Sequence, residues 1–572
     1  MTFPAVNRAT TRRLSPGLVL AGGAVTLLAV RLLVSLARSG PVIMADEAGY
    51  LMHARVLAGG MPAQMGSSPF YRGGYSLLLA PVLSVAGDPV TAYHGVLVVN
   101  AALAACIVPL LYLLLTRCVH AGRLEAAWGA VAGGAYPSIT AFSQVALAEN
   151  VLFPLTIVWL LCAGSLVGHA GRRTAVVSSV GAGLCAAALW TAHGRMIVIV
   201  ALTCALLPAL AIVRRRAGDL AATAAGFAAL GAGLISGALL NHWLLVKNYR
   251  GTRLDELSQI SSGFHHVGGA VENLVAQSWY LLVATLGLVL LLCAGDVPAA
   301  ARRVRRRGAD AADAVVLLTV LATAGLLVES ALWFATRTRP DQLLYGRYAE
   351  PTAPVLVGIA VAGLARPGPA PRVRRLLLGF ATLTLLVALV RAGLHLPEPT
   401  SRWNVASLPS VTRDLGAPVI VAAGAVMTAA LALILAVRRR APSAVGPLVV
   451  LLFAPTTAYL VVLPVLRSQH DVYPSDWTSP RSAVEASGAT RVGYDLGHLD
   501  HIAVKAYQWS MPHTRFVLFD SSTQAPPTAS FFGAHRLTGR STACRASTVW
   551  RDPGRDQVLW NASGEACTIP RR

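Results

Sequence analysis

Two adjacent acids, Asp46 and Glu47, follow the first long apolar run of the chain and are the first side chains in it that could do chemistry. A carboxylate at membrane height can act as a general base or bind a divalent cation through oxygen. The pair also fits a plainer interpretation, because acids at the start of a helix complement its dipole. The residues from Tyr50 to Ala58 follow a mixed helical pattern, which predicts a helix in the plane of the membrane interface.

Three further turns carry acids, arginines and tyrosines. Glu149 lies in the first, His193 and Arg195 lie in the second, and Tyr345 and Arg347 lie in the third. An arginine offers a planar fork that matches a phosphate group, and a tyrosine hydroxyl tolerates the membrane interface. Each residue alone also fits a side chain that anchors the protein to lipid headgroups. Together they indicate a reaction on a lipid-linked phosphate, in which arginines hold the phosphate and a carboxylate takes a proton.

Metal sites are weakly supported by the spacing of ligands. Asp46 and Glu47 could ligate magnesium, manganese or calcium, but two carboxylates are too few for a complete site, so dependence on a divalent cation stays open. His265 and His266 are adjacent on a loop rich in glycine and serine, and they lack the spaced third and fourth ligands of a zinc site. The group of His498, Asp500 and His501 has the same weakness.

The elements that must position these residues are membrane spans. The chain has 572 residues, of which 55% are hydrophobic and only 13% are charged, whereas soluble domains carry about 25% charged residues. A mean hydropathy of +0.59 excludes a disordered chain and a soluble enzyme. Runs of about 20 apolar residues can cross a bilayer. About thirteen such runs occur, at roughly 16–37, 90–116, 124–141, 149–168, 174–191, 196–213, 220–245, 274–294, 312–334, 351–365, 376–394, 417–437 and 445–465.

The arginines predict how the spans are oriented. The net charge of +22 and a pI near 10.5 first suggest a nucleic-acid partner, but the basic residues here punctuate apolar runs. Short loops rich in Lys and Arg stay on the cytoplasmic side. Every second loop is arginine-rich, at positions 8–13, 117–123, 172–173, 214–216, 302–307, 366–375 and 438–440. This alternation predicts a multi-pass plasma-membrane protein with a cytoplasmic N-terminus and no nucleic-acid partner. It also places the turns that carry Glu149, Arg195 and Arg347 on the outer face.

The end of the chain differs in composition from the rest. We expect a transmembrane domain at 1–465, in which the external loop 38–89 carries the chemistry, and a small extracytoplasmic α/β domain at 466–572. The first apolar run is too long for a signal peptide, which predicts an uncleaved span. Cys544 and Cys567 lie on the side where disulfides persist, so a bridge between them is expected. Asn561-Ala562-Ser563 fits the N-glycosylation pattern, but a match of three residues is a weak signal.

These motifs resemble those of the large membrane glycosyltransferases with the C-type (GT-C) fold, which take sugars from polyprenyl-phosphate donors. The resemblance is carried by Asp46-Glu47 in DEAGYLMHARVL and is supported by ALAEN at 146–150, by His193-Gly194-Arg195 and by YGRYAEP at 345–351. It is nearest to the protein O-mannosyltransferase and aminoarabinose-transferase branch, and actinobacterial mannosyl- and arabinosyl-transferases are also similar. It covers roughly residues 16–350.

The resemblance implies an all-α polytopic membrane fold and one inverting displacement, which moves a sugar to an acceptor on the outer face. The acceptor could be a lipid, a glycan or a protein. Asp46 takes the place of the general base, and Glu47 supports it or positions the acceptor. The positions matched to the donor phosphate or sugar are Arg72, Glu149, His193, Arg195, Lys247, Tyr345 and Arg347. One departure is the turn at His193-Gly194-Arg195-Met196, which lacks the proline that the family often has beside the arginine.

Two other functions fit the sequence less well. A transporter or lipid flippase of cell-envelope precursors usually has internal repeats and ionisable groups near the middle of the bilayer. The chain shows no such repeat, and its candidate residues lie at the predicted outer face. A non-catalytic scaffold of envelope assembly would not need Asp46, Arg195 and Arg347 at all.

Overall fold

The structure is a computed structural model that describes most of the chain. The described residues are 15–36, 38, 40–41, 45–65, 69–168, 171–214, 217–249, 256–336, 342–364, 373–393, 406–408, 416–466, 479–499, 503–534, 536, 546–551 and 557–562. Cys544 and Cys567 lie outside them, as do Arg337, Arg339, Asp500 and His501. The expected disulfide therefore stays a prediction.

Helices make up the greater part of the fold. In chain order they are α1 Pro16–Leu36, α2 Ala45–Leu57, α3 Gly74–Val85, α4 Pro89–Arg117, α5 Arg123–Gly134, α6 Pro137–Phe142, α7 Glu149–Gly168, α8 Arg172–Ala192, α9 Ile197–Arg214, α10 Ala217–Asn248, α11 Glu256–Phe264, α12 Val267–Ala284, α13 Leu288–Ala294, α14 Asp296–Arg307, α15 Ala311–Phe334, α16 Ala353–Leu364, α17 Val373–Gly393, α18 Ala417–Arg440, α19 Val445–Leu466, α20 Ser479–Ala486 and α21 Ala503–Ser510.

Nine helices in the described part of the chain are long and apolar enough to cross a membrane. Since no water is present in the bilayer core, a helix is the form that satisfies every backbone polar group there. The nine are Pro16–Leu36, Pro89–Arg117, Glu149–Gly168, Arg172–Ala192, Gly194–Val213, Asp219–Asn248, Ala311–Phe334, Ala417–Arg440 and Pro442–Tyr459. The chain is thus a multi-pass membrane protein, as its sequence predicts.

The other four of the thirteen predicted runs are helical but broken or short. The run at 274–294 bends by 108° between α12 and α13, where Gly287 takes a left-handed backbone conformation with φ +73°. The run at 124–141 divides into α5 and α6 at Pro137, which begins the second helix. The last two runs become the shorter apolar helices Glu350–Leu364 and Leu376–Ala392.

Two short helices, α2 and α3, connect the first span to α4. Asp46 and Glu47 lie in the first turn of α2, as predicted, and nearly all of this helix is buried. α2 packs against α3, and Gly49 makes room for the Tyr71 ring, because a Cβ on Gly49 would lie 2.0 Å from it. At the start of α4, the Asp88 carboxylate accepts hydrogen bonds from the backbone N–H groups of Val90 and Thr91. This N-cap begins the helix sharply.

The C-terminal region forms a small α/β unit, which confirms the predicted class. Its five strands are β1 Arg491–Asp495, β2 Arg515–Phe519, β3 Ser530–Gly533, β4 Ala546–Arg551 and β5 Val558–Ala562. The sheet has the order β2-β1-β3-β5-β4, with β1 parallel to β2 and β3 and the remaining pairs antiparallel. The aromatic rings of Tyr507 and Phe532 stack at 4.7 Å in its core.

This unit docks directly onto the segment that carries the acidic pair. The Arg55 guanidinium, near the end of α2, donates to the backbone carbonyl of Gln508 in α21. The side chain of Gln508 in turn forms two hydrogen bonds with the backbone of Gln64, at 2.6 and 3.1 Å. The rings of Trp509 and Tyr93 meet edge to face at 6.4 Å. The C-terminal unit and the first loop therefore hold each other in place.

Candidate active site

Four separated segments each contribute one charged side chain to a cluster at the start of α2. The Arg347 guanidinium donates from Nη1 to Asp46 at 2.5 Å, and from Nε and Nη2 to the two oxygens of Glu149 at 2.6 and 3.0 Å. Arg195 donates from Nη2 to the same Glu149 carboxylate at 2.6 Å. Arg347 thus links two carboxylates that stand about a hundred residues apart in the chain.

Burial differs sharply among these four side chains. The side chains of Glu149, Arg195 and Arg347 are no more than 3% exposed, whereas that of Asp46 is 34% exposed. Burial alone would lower the pKa of Arg347, but the negative charges of Glu149 and Asp46 outweigh it and raise that pKa well above its usual value. Arg347 therefore stays charged, and Asp46 is the group of the four that solvent and substrate can reach.

Two of the side chains lie at the start of a helix and two lie in turns between helices. Asp46 lies in the first turn of α2, and Glu149 is the first residue of α7. Arg195 sits in a single 3-10 turn between α8 and α9. Arg347 follows Gly346, whose missing side chain lets the backbone approach the Tyr280 ring, where a Cβ would lie only 1.7 Å from a ring carbon. A larger residue at 346 would push the Arg347 turn away from the cluster.

Arg195 has buried hydrogen-bond donors that the described residues do not satisfy. Its Nε and Nη1 atoms are buried and have no hydrogen-bond partner among the described residues. The guanidinium lies over the ring of Tyr348, with 4.6 Å between its carbon and the ring centroid. Buried donors without acceptors typically destabilise a protein by about 1–3 kcal/mol each, so such groups call for an explanation. An anionic ligand would satisfy them.

Aromatic side chains and His193 surround Arg195. Tyr345 packs against Phe334 at 4.5 Å and against Tyr348 at 5.0 Å, so its ring belongs to the wall of the site. The His193 Nδ1 atom accepts from the backbone N–H of Arg195, which caps that turn. Burial, and then the positive charge of Arg195, hold the pKa of His193 well below its usual value. The His193 ring is therefore neutral and positions Arg195.

Two further predicted cations, Arg72 and Lys247, lie in different surroundings. The Arg72 guanidinium lies over the Trp190 ring at 4.1 Å and is near enough to His193 to lower the pKa of that residue. It thus stands at the edge of the cluster. Lys247 is exposed near the end of α10, with its amine 5.9 Å from the Trp243 ring centroid. The structure places Lys247 away from the four charged side chains.

Glu47 faces away from Asp46. It is fully buried, and its carboxylate accepts from the Tyr93 hydroxyl at 2.7 Å and from the backbone N–H of Ala146 at 2.9 Å. Adjacent residues of a helix point about 100° apart, so the two acids cannot share one ligand easily. Glu47 instead ties α2 to α4 and to the segment that leads into α7.

Tyr71 carried no clear signal in the sequence, whereas Glu350 belongs to the YGRYAEP motif. The pKa of Tyr71 is raised well above its usual value by burial and then by the charge of Asp46, which places its hydroxyl close to that carboxylate. Glu350 is fully buried, and it accepts from the Tyr280 hydroxyl at 2.5 Å and from the Ser407 hydroxyl at 3.1 Å. The Glu350 carboxylate thus anchors the turn that presents Arg347.

Metal ligands do not converge among the described residues. No group of three or more His, Cys, Asp or Glu side chains in this part of the chain could hold an ion. His265 and His266 lie exposed between α11 and α12. His498 contacts Asp495 at 3.2 Å and Ser521 at 3.0 Å in the C-terminal unit, away from the cluster.

Comparison with known proteins identifies the architecture. No protein-family model and no curated protein sequence matches the chain. The crystal structure of ArnT from Cupriavidus metallidurans bound to undecaprenyl phosphate is 15% identical, with a TM-score of 0.57 over 96% of this chain and 99% of that chain. Its apo state gives a TM-score of 0.55 over the same shares. The arabinosyltransferase EmbB from Mycobacterium smegmatis gives only 0.40, at 15% identity over 80% of this chain and 42% of that chain. The chain has the GT-C fold of membrane glycosyltransferases, as its motifs predict.

Proposed function

We propose that this chain transfers a sugar from a polyprenyl-phosphate donor to a hydroxyl group of an acceptor, at the outer face of the membrane. The observation that carries the proposal is the convergence of Asp46, Arg195 and Arg347 at one point of a GT-C fold. The alternating arginine-rich loops support the outer location, since they favour a cytoplasmic position for the opposite ends of the helices.

The arginines supply a site for the donor phosphate. Within the cluster, the two carboxylates balance the two guanidinium groups, and Arg72 at its edge adds positive charge. The buried Nε and Nη1 atoms of Arg195 still lack acceptors among the described residues. Arginine binds phosphate through two parallel hydrogen bonds, which are stronger than neutral ones. The ArnT structure with undecaprenyl phosphate supports a lipid phosphate as the ligand of this fold.

Asp46 is the general base in this proposal. It is the exposed carboxylate of the cluster, so the acceptor hydroxyl can reach it. In the absence of donor, its ion pair with Arg347 occupies one of the two carboxylate oxygens. When the donor phosphate takes over hydrogen bonds of Arg347, Asp46 becomes free to accept a proton. The arginine thus couples donor binding to activation of the acceptor.

The same geometry favours a single displacement. The acceptor oxygen loses its proton to Asp46 and bonds to the anomeric carbon, while the bond from that carbon to the phosphate oxygen breaks. The polyprenyl phosphate leaves with the bonding electrons, and Arg195 and Arg347 stabilise its added negative charge. A double displacement would need a second accessible carboxylate as the nucleophile. Glu149 is fully buried and paired with both arginines, which disfavours that role and supports inversion.

A binding measurement tests the phosphate site. The protein in nanodiscs is titrated with polyprenyl phosphate, and complexes are counted by native mass spectrometry. We expect Arg195→Gln to weaken binding at least tenfold, because one charge-assisted pair to the phosphate is lost. The matched control is Arg303→Gln, which removes an arginine that pairs with Asp313 at 2.5 Å outside the cluster. Equal affinity in both variants would refute the assignment of Arg195.

A further inference from the structure

A cavity of about 390 Å³ lies where the C-terminal unit meets the first loop. Three segments line it: the end of α2 with the turn that follows, the connection between α3 and α4, and the turn between α21 and β2. Its volume lies within the range of small-molecule sites, which is roughly 300–1,000 Å³. None of the four charged side chains of the active site lines this space, which we call the interface cavity.

The lining combines an aromatic surface with a few polar groups. Trp509 and Pro512 contribute apolar surface from the C-terminal unit, while Arg55, Asp88 and His513 contribute polar groups. Apolar walls with a small number of placed polar groups are typical of sites that fix the orientation of a ligand. A sugar ring has apolar C–H faces and hydroxyl groups around its edge, so it matches both kinds of lining.

The charged groups of the interface cavity are already engaged. The Arg55 guanidinium donates to the backbone carbonyls of Gln508 and Met61. The Asp88 carboxylate accepts from two backbone N–H groups at the start of α4, and from the hydroxyl of Thr91 at 2.6 Å. Neither sign of charge is left in excess. This balance favours a neutral ligand rich in hydroxyl groups over a phosphate or another strong anion.

The interface cavity is remote from the reacting atoms. Arg55 lies nine residues after Asp46 on α2, which corresponds to about 14 Å along the helix axis and about half a turn around it. A ligand in the cavity therefore cannot present its own hydroxyl to Asp46. The cavity nevertheless borders the catalytic helix directly, because Arg55 of α2 lines it. Trp509 of the lining also packs on Tyr93, which donates to Glu47.

We propose that the interface cavity binds a neutral saccharide unit of the acceptor, remote from the hydroxyl that reacts. This inference rests on the proposed function, and it makes the acceptor a glycan or a glycoconjugate with more than one sugar residue. Binding at the cavity holds an extended acceptor against the C-terminal unit while its reactive end lies at Asp46. Blocking the cavity should then weaken the binding of long acceptors and leave the chemical step at Asp46 unchanged.

The test separates binding from catalysis. Linear mannotriose and arabinotriose are the probes, and sucrose octasulfate is the anionic control. Binding is measured by saturation-transfer NMR on the protein in nanodiscs, because maltoside detergents would compete. Gly87 and Ala58 line the cavity, and a Cβ on Gly87 would meet nothing within 4 Å. Gly87→Phe and Ala58→Phe are the blocking variants. Gly171→Phe, at an equally open glycine outside the cavity, is the matched control.

We expect wild-type protein and the Asp46→Asn variant to bind one of the neutral trisaccharides, and the octasulfate not to compete. Both blocking variants should bind at least tenfold more weakly, whereas Gly171→Phe should bind normally. Hydrolysis of the polyprenyl-phosphate donor by water should continue in the blocking variants. No binding by the wild type, or unchanged binding in both folded blocking variants, overturns the cavity proposal. Binding without any donor turnover overturns the proposed function instead.

Discussion

Replacing Asp46 by Asn removes one negative charge and almost no volume. An asparagine can still accept the hydrogen bond from Arg347, which also keeps its two bonds to Glu149 at 2.6 and 3.0 Å. Since Asp46 is 34% exposed, water screens its ion pair and the loss of stability should be about 1 kcal/mol or less. The melting temperature should therefore fall by no more than about 2 °C. Asp46→Asn therefore tests catalysis rather than folding.

The expected effect on the rate is much larger. General base catalysis by a positioned side chain contributes about 10²- to 10⁴-fold to the rate, which corresponds to about 3–5 kcal/mol of activation free energy. An asparagine cannot take the proton of the acceptor hydroxyl. The turnover number should fall by this factor, while the affinity for polyprenyl phosphate should stay the same or rise, because Arg347 has one competing carboxylate fewer.

Glu47→Gln is the matched control for this prediction. Glu47 is the neighbouring acid, but it is fully buried and holds Tyr93 and the backbone of Ala146. Loss of its charge weakens hydrogen bonds that contribute roughly 1.5–3 kcal/mol each when one partner is charged. We expect the melting temperature to fall further than in Asp46→Asn, whereas the turnover of each folded molecule should stay within about tenfold of wild type.

The assay uses proteoliposomes with radiolabelled polyprenyl-phosphate mannose or arabinose and reports release of polyprenyl phosphate. The amount of folded protein is measured in parallel from a thermal melt. Retention of more than a tenth of the wild-type turnover by Asp46→Asn would refute its role as the base. So would an equal loss of turnover in folded Glu47→Gln, because both acids would then matter only for the shape of α2.

Three further substitutions test the surroundings of the cluster. Arg347→Lys keeps the charge but loses the planar fork, so the Kd for polyprenyl phosphate in nanodiscs should rise at least tenfold while the fold persists. Glu149→Gln leaves two buried guanidinium groups opposed only by Asp46; removal of one partner of a buried ion pair typically destabilises by about 3–5 kcal/mol, and a thermal melt should show it. Glu350→Gln weakens the bonds from Tyr280 and Ser407 that anchor the Arg347 turn. Its KM for donor should rise more than its turnover number falls, and an unchanged KM would contradict the anchoring role.

The convergence of the charged residues could be predicted because it follows from counting spans. The connections that carry Glu149, Arg195 and Arg347 are separated by even numbers of predicted spans. Alternating helices therefore bring these residues to one end of the bundle. Asp46 joins them because it follows the first span. The orientation of the spans relative to the two sides of the membrane stays a prediction.

The direction of each side chain could not be predicted in the same way. Asp46 and Glu47 are neighbours in sequence, but helix geometry turns them toward different partners. Contacts from other segments, such as the hydrogen bond from Tyr93 to Glu47, decide which acid meets Arg347. Lys247, which the resemblance matched to the donor phosphate, lies exposed beside Trp243. The bonds of Glu350 to Tyr280 and Ser407 join segments that are far apart in the chain. A pattern within one segment carries no signal for such contacts.

The position of the charges along the helices bears on the rival function of lipid or precursor transport. A transporter usually binds its substrate near the middle of the bilayer, where ionisable residues interrupt the spans. Here Glu149 begins α7, Arg195 precedes α9, and Asp46 opens the short helix α2. This placement at helix ends supports the proposed reaction on a lipid-linked phosphate over transport. Flux of labelled polyprenyl-phosphate sugar across liposomes distinguishes the two functions: a transferase should release polyprenyl phosphate without moving the intact donor, and donor flux without release would support transport.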